Sequence, residues 1–573
     1  MNIPRPEHPN PQMLRADWIN LNGAWDYRTD RVHSGTDRKW FLPETEFNET
    51  IQVPFCRESV LSGIGDVDFC DAVWYRKKLS LPREWDGKRV LLHIGACDYQ
   101  TTLWVDGKEV GTHIGGFVSF TFDLTPYLSN REPLITLRAV DDIRSKKQPG
   151  GKQSRHYGSK GCSYTRTTGI WQTVWLEAVE QSYIKSTKYY PDIDAGTLTV
   201  IAKVENADGM TLSAKAFYED TPMGEAHATV HGNQAMLTLK LNELYLWEVG
   251  YGRLYDLTLS LGNDTVKSYF GMRNIGIKNG IFYLNGKPVF QRLVLDQGFY
   301  PDGIFTAPSE QALIDDITRS MELGFNGARL HQKIFEPLFL YHCDRLGYIV
   351  WGEDGNWGLD ITGADGWRAL LPEWLEAVER DFNHPAIIGW CPLNETQYAQ
   401  DTELVKHLAA LTRAIDPTRL YIEASGWRHV DGLADMIDLH DYCQDPTEFA
   451  AKFEPLKEGK PVAIHMPKSW NMEEVTFPTF VSEYGGIHWN ADDTAGDSWG
   501  YGSTPKSPEE FIARFKGLTE TILFHPSMSA LCYTQLTDVE QEQNGLYTYD
   551  RRAKFDPTIF HAILCQKAAI EKE

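Results

Sequence analysis

Among its nine cysteines, at 56, 70, 97, 162, 343, 391, 443, 532 and 565, the 573-residue sequence has no C-x-x-C pair. An odd count without paired spacing argues against a disulfide framework and for reduced thiols in a cytoplasmic protein. No apolar run approaches the length needed to span a bilayer. The opening stretch "MNIPRPEHPNPQ" is polar and proline-rich, without the apolar core of a signal peptide. Cations are in short supply, 56 Lys and Arg against 79 Asp and Glu, for a net charge of −23. Such a surface repels phosphate backbones and anionic membranes, so neither nucleic acid nor membrane is an expected partner. H-E-x-x-H, a compact Cys/His cluster and a phosphate-cradling Gly-rich loop are all missing, so no metal or cofactor is expected. Low-complexity segments and short-period repeats are missing too.

What is present is a chain too long for one hydrophobic core. Eighteen Trp and 26 Tyr suit a large β-rich interior and also the flat faces of sugar rings. Three textures follow one another. Residues 1–181 carry short alternating runs such as "KRVLLHIGA" and "TTLWVDGKEV", and the Asp106–Gly107 pair between two of them is a hairpin signal. Residues 182–272 continue the strands at the spacing of a smaller Ig-like sandwich. Residues 273–573 alternate strand and helix. There "SEQALIDDITRSMELG" gathers Leu313, Ile314, Ile317 and Met321 on one face, and "GWRALLPEWLEAVERDF" and "DTELVKHLAALTRAI" behave alike. Eight buried-strand candidates occupy 288–295, 325–331, 347–353, 386–393, 420–425, 436–442, 478–483 and 529–535. The expected architecture is thus a jelly-roll-like β-sandwich, an Ig-like β-sandwich and a (β/α)8 barrel.

Barrel enzymes keep their chemistry at the carboxyl ends of the strands. Those ends carry Asp296, Arg329 with His331, Glu353, Asn394 with Glu395, His440 with Asp441 and Tyr442, Glu483, and Gln535. Each follows an apolar run at one defined end, which favours a site over a surface loop. Glu395 in "CPLNE" and Glu483 in "TFVSEYGG" cap the fourth and seventh strands, on opposite sides of the ring. Two carboxylates about 5 Å apart suit retaining glycoside cleavage, one as nucleophile and the other as acid, then base. A structural pairing of either Glu with Arg329 is the bland alternative. "GDSWG", Gly496 to Gly500, matches G-x-S-x-G but sits in a long polar loop instead of a strand–helix elbow. Trp489 and Trp499 in or beside that loop line a substrate entrance or pack the loop, and Trp390 reads as core.

The sequence resembles glycoside hydrolase family 2, the group of β-galactosidases, β-glucuronidases and β-mannosidases. "LNGAWDYR" near Leu21, "DYQTTLWVDGKEVGTHIGGFVSFTFDLT" from Asp98 and "YTRTTGIWQTVWLE" from Tyr164 look like its amino-terminal sugar-binding sandwich. "LNGKPVFQRLV" and "DDITRSMELGFNGARLH" are similar to the start of its barrel, and "NE" at Asn394–Glu395 and "SEYGG" at Ser482–Gly486 are its most specific motifs. The resemblance implies Glu395 as acid/base and Glu483 as nucleophile. It also implies Asn394 on the sugar 2-hydroxyl, Tyr442 supporting the nucleophile and Arg329 beneath the carboxylates. His331, Asp296 and His440 join them as expected substrate-binding residues.

Three departures stand out. "RLHQKIFEP" replaces the family's R-x-S-H-Y-P, and "WGED" replaces its "DE" pair, which puts a metal at Glu353 in doubt. The Asn-x-Lys motif with which family β-glucuronidases hold the sugar carboxylate has as its counterpart "EQEQNGLYTYD", which offers Glu542, Asn544 and no lysine. A neutral sugar is therefore expected, galactose first. The alternatives are β-glucuronidase, β-mannosidase or α-L-arabinosidase activity, or a catalytically silent carbohydrate-binding protein. Its partner is a glycoside, and a homo-oligomer is compatible with the sequence.

Overall fold

The computed structural model describes residues 3–396, 400–463, 474–475, 478–490 and 498–572. Three hydrophobic cores follow the three textures. The first lies between an antiparallel six-stranded and a four-stranded sheet, with Trp25, Tyr75, Leu92 and Leu137 inside. Its Gln100–Val105 and Lys108–Ile114 strands are joined by Asp106 and Gly107 at φ 48° and 79°. Two consecutive positive φ values make a turn whose twist matches the strands, which is why Asp-Gly stands there. The second core fills a seven-stranded sandwich of three plus four strands. In its Gln234–Lys240 strand every second residue is buried, as a half-exposed sheet requires.

The third core belongs to eight parallel strands, and each of the eight expected ones is found. They are β1 (Gln291–Asp296), β2 (Gly327–Leu330), β3 (Ile349–Glu353), β4 (Ile387–Cys391), β5 (Leu420–Tyr421), β6 (Asp438–Asp441), β7 (Phe480–Gly485) and β8 (Ala530–Thr534). The proline-led start of the first candidate is instead a short pairing, Lys287–Pro288, in a small antiparallel sheet beneath the barrel. A proline lacks the N–H that a central strand donates on its paired side.

Hydrogen bonding runs β5-β4-β3-β2-β1-β8-β7-β6, leaving a seam between β5 and β6. It lies where the βα alternation breaks: among the described residues a helix follows every strand except β5. Side chains close the seam. Ser425 Oγ donates to Asp438 Oδ2 at 2.6 Å, and the His429 ring lies between Glu423 and Asp438. All nine cysteines are free thiols, six of them buried. No helix among the described residues is long and apolar enough to cross a membrane.

Candidate active site

The floor of the barrel mouth is built on Arg329 at the end of β2. Its Nε donates to Glu353 Oε2 at 2.8 Å, Nη1 to the Ser482 carbonyl at 2.9 Å, and Nη2 to Asn394 Oδ1 at 2.6 Å. Nη1 also lies 3.1 Å from Glu483 Oε1, but that oxygen receives no aligned hydrogen bond, so the two interact through charge. Burial works against ionising Glu353, yet the charge and hydrogen bonds of Arg329 and His331 together outweigh it, and the carboxyl is held below its ordinary range. His331 is driven down to about 4 by burial, against the pull of Glu353, and is neutral at pH 7. Its Nδ1 is 3.0 Å from both Arg329 Nη2 and Glu353 Oε1.

Arg329 also decides which way Asn394 points. With Oδ1 accepting from a guanidinium, the amide nitrogen must face the other way. That Nδ2 is buried and has no acceptor within the described protein. The next residue, Glu395, has φ 50°, a left-handed conformation that costs a non-glycine residue about 1–2 kcal/mol. It is held there because its N–H donates to the Ser425 carbonyl at 2.8 Å, while the Asn394 N–H donates to Asn356 Oδ1 at 3.0 Å. The strain sits on the residue that leaves the strand for the mouth.

His440, at the seam strand β6, joins the two carboxylates. Its Nδ1 is 2.8 Å from Glu395 Oε1 and 3.4 Å from Glu483 Oε2, and its Nε2 is 3.1 Å from Ser425 Oγ. Burial disfavours the imidazolium, but Glu483 and then Glu395 more than offset it, so the pKa is raised. An oxygen of each glutamate and a ring nitrogen of His440 all lie within 4.8 Å of one another. Glu483 also accepts a short hydrogen bond from Tyr442 Oη, and the Tyr442 ring stacks on Tyr501 at 3.4 Å. Desolvation pushes Glu483 upward, while His440, Arg329 and the Tyr442 bond push it further down, leaving the carboxyl well below the usual range. Glu395 is the more exposed of the two, 12 % against 6 % for its side chain.

The rim comes partly from the first sandwich. Gly150 and Gly151 donate to the carbonyls of Trp357 and Gly355 at 2.9 and 2.8 Å, fixing a sandwich loop onto the loop after β3. Gly151 is at φ 56°, and a Cβ there would lie 2.2 Å from the Gln332 carbonyl oxygen, so the approach requires glycine. The next residue, Lys152, is buried with its ammonium 4.0 Å from the Trp357 ring centroid. From the same sandwich, Tyr164 Oη donates to Glu542 Oε2 at 2.5 Å. Asn544 donates to the other oxygen of Glu542 at 3.1 Å, and Gln535 donates to Asn544 at 2.8 Å.

Of the residues expected at the site, Arg329, His331, Asn394, Glu395, His440, Tyr442 and Glu483 form one contiguous group. Asp296 is set apart. Its carboxylate accepts from the Gly298 N–H at 2.9 Å, and burial together with Asp316 raises it to about 6. A strand end offers two faces, and Asp296 is on the one turned from the pair. Asp441 also turns away, to Lys452 at 2.7 Å. Trp390 is core, donating to Asp416 at 2.8 Å. Trp489 packs against Phe511 and Phe555, whereas Trp499 donates to the Gly161 carbonyl at 2.8 Å and holds the sandwich loop down. Gly496 and Asp497 of the G-x-S-x-G match lie outside the described residues. Its Ser498 sits in neither strand nor helix. Lys152, Trp357, Ser425 and Tyr501 carry no motif that marks them in the sequence.

Comparison with known proteins agrees with this architecture. The chain matches the sugar binding domain of glycosyl hydrolases family 2 over residues 65–151, a further segment of that family over 182–273, and its TIM barrel domain over 275–495. It is 25% identical over 448 residues to a β-galactosidase of Thermoanaerobacter pseudethanolicus, covering 75% of this chain and 58% of that protein. To the β-glucuronidase of Rattus norvegicus it is 26% identical over 456 residues, 71% of this chain and 68% of the relative. The solved structure of a Ruminococcus gnavus β-glucuronidase superposes with a TM-score of 0.79 at 18% identity, over 99% of both chains. A Lactobacillus rhamnosus β-glucuronidase gives 0.80 at 17%, over 98% and 99%. With all three segments matched in order around a carboxylate-lined barrel mouth, the chain belongs to glycosyl hydrolase family 2 and is a glycoside hydrolase.

Proposed function

We propose that this protein is a retaining exo-β-glycosidase in which Glu483 is the nucleophile and Glu395 the acid, then base. One observation carries the reading. Two carboxylates come within 4.8 Å of each other, close enough for direct attack and too close to admit a water between them. Their surroundings differ as the two roles require. Glu483 is held ionised by His440, Arg329 and Tyr442, whereas Glu395 is more exposed and touches a single ring nitrogen.

In the first step a Glu483 oxygen bonds to the anomeric carbon, the glycosidic C–O bond breaks, and the Glu395 proton passes to the leaving oxygen. The ester removes one negative charge facing Glu395, which eases its ionisation. In the second step Glu395 takes a proton from water, the water oxygen attacks the anomeric carbon, and Glu483 is released. Asn394 Nδ2, with its orientation set by Arg329, is the donor available to the sugar 2-hydroxyl.

Proton NMR of the first-formed product is expected to contain the β-anomer, and an initial α-anomer refutes the double displacement. Glu395→Ala with an activated aryl leaving group and added azide is expected to yield the β-glycosyl azide. Glu483→Ala is expected to yield the α-glycosyl azide, and the reverse pattern, a β-azide from Glu483→Ala with an α-azide from Glu395→Ala, would exchange the two roles.

The galactoside reading is supported by the likeness to a β-galactosidase and by the neutral Gln535–Asn544 amide pair after β8. Its other support, that an acidic sugar would meet a free Glu542 carboxylate, is weakened: both Glu542 oxygens already accept hydrogen bonds.

A further inference from the structure

We infer that the cleft where the Ig-like sandwich meets the underside of the barrel is a second binding site, for a small organic anion built on an apolar ring, with Arg273 holding its charged group. The site stands apart from the glycosidase reading, because it lies at the ends of the barrel strands opposite to Glu395 and Glu483.

The cleft is a cavity of about 260 Å³, several times the share of one water and close to the lower end of small-molecule sites. Tyr190 and Pro191 line it from the sandwich, and Phe382, Pro385 and Arg419 from the segments that lead into β4 and β5. Arg273, in the segment joining sandwich to barrel, lines it as well.

Two guanidiniums are crowded here onto one acceptor. Arg273 Nη2 and Arg419 Nε both donate to the carbonyl of Ile387, the first residue of β4, at 2.9 and 3.3 Å. Arg273 Nε donates to the Pro385 carbonyl at 2.7 Å. Among the described residues its Nη1 has no hydrogen-bond acceptor, and no carboxylate oxygen lies within 4.0 Å of the guanidinium. Although Arg273 is only 7 % exposed, Nη1 is not sealed off and is open to the cavity.

The neighbouring carboxylates are already engaged. Asp416 takes Arg419 at 3.1 Å, the Trp390 indole and Thr418, while Asp344 takes Tyr269, His384 and the Ala386 N–H. Burial and the like charge of Arg419 pull Arg273 down to about 9, against Asp416 and Asp344. It remains a cation at neutral pH, but one whose burial is compensated only in part. An anion from outside the chain would complete the compensation through a charge-assisted hydrogen bond.

The rest of the wall is apolar. The Phe382 ring meets Tyr190 at 5.2 Å, and Lys188 and Arg419 approach the same ring at 4.7 and 5.2 Å. A neutral ligand would leave the Arg273 charge unanswered, and a bare inorganic anion would leave the aromatic and proline surface uncovered.

Isothermal titration with benzoate, phenyl phosphate, inorganic phosphate and benzyl alcohol, at fixed ionic strength, tests the site. One of the two ring-bearing anions is expected to bind saturably, at least about tenfold more tightly than inorganic phosphate or benzyl alcohol. The winning arm separates a carboxylate ligand from a phosphoryl one. Arg273→Met should weaken that binding at least about tenfold, and Arg273→Lys should keep the larger part. Hydrogen exchange in the wild-type protein should slow over residues 270–276 and 416–420 when the winning probe is added, and not over 480–485. The inference is overturned if neither ring anion binds, if inorganic phosphate or benzyl alcohol binds equally well, or if Arg273→Met leaves the affinity unchanged. Protection confined to the barrel mouth overturns it too. Should Arg273→Met fail to fold, the wild-type exchange pattern decides.

Discussion

The floor and the rim of the barrel mouth handle buried charge in opposite ways. On the floor, Arg329 is surrounded by Glu353, Asn394, His331, the Ser482 carbonyl and the Glu483 charge. At the rim, Lys152 is 6 % exposed against 1 % for Arg329, and its ammonium lies over the Trp357 ring. A planar, multi-donor arginine suits a fixed network, whereas a single ammonium suits an aromatic face. The difference teaches that burial alone does not say how a charge is compensated: direct hydrogen bonds hold one cation, an aromatic face and more distant carboxylates the other.

The largest effect expected is on the chemistry between these regions. Glu483→Gln should lower kcat by about 10⁴-fold or more while the unfolding transition stays cooperative. Near-normal turnover would remove the nucleophile assignment. Next, the two cations should differ in the size of their effect on stability. Arg329→Met removes the buried cation shared by Glu353 and Glu483 and is expected to cost about 3–5 kcal/mol in denaturant unfolding. Lys152→Met removes one ammonium lying over the Trp357 ring, whose raised pKa makes it a modest stabiliser, and should cost clearly less. A comparable loss in both variants would erase the contrast.

Asn394 tests how the floor serves the substrate. Asn394→Ala is expected to lower kcat/KM by about 10²–10³-fold, the cost of one donor aimed at a developing transition state. On a 2-deoxy glycoside the wild type should already be slow, and the substitution should add little. Additive losses would mean that Asn394 acts on something other than the 2-hydroxyl.

The smallest effect concerns where sandwich and barrel meet. Burial raises Asp141 and Asp354 to about 7, above their unfolded values. A raised carboxyl binds its proton more tightly in the folded state, so its contribution is complete below the unfolded pKa and lost as pH rises through 7. Thermal unfolding midpoints should therefore fall between pH 5 and pH 8, and Asp354→Asn should flatten the slope. A midpoint that rises over this window contradicts the assignment.

Much of the site was legible in the sequence because strands alternate and end predictably. Eight apolar runs marked eight strands, and the polar residues that follow them included both glutamates, Asn394, Arg329, His440 and Tyr442. Asp296 satisfied the same rule and lies outside the group, because a strand-end rule says which end a residue occupies and not which side. Glu542 was legible as a carboxylate but not as an occupied one. Its partner Tyr164 is 378 residues away in sequence. Lys152 left no trace, because a lysine in a glycine-rich loop resembles any solvated lysine until the loop's contacts are known.

By itself, then, the sequence determined three successive β, β and β/α cores, the strands of the barrel and the facing pair Glu395 and Glu483. Periodicity and burial are local properties of the chain, and they suffice for that much. Only the tertiary structure decided that β5 and β6 meet through Ser425, His429 and Asp438, that Arg329 sets the Asn394 amide, and that a sandwich lysine completes the mouth. Those are contacts between distant segments, fixed by three-dimensional geometry that local sequence pattern does not encode.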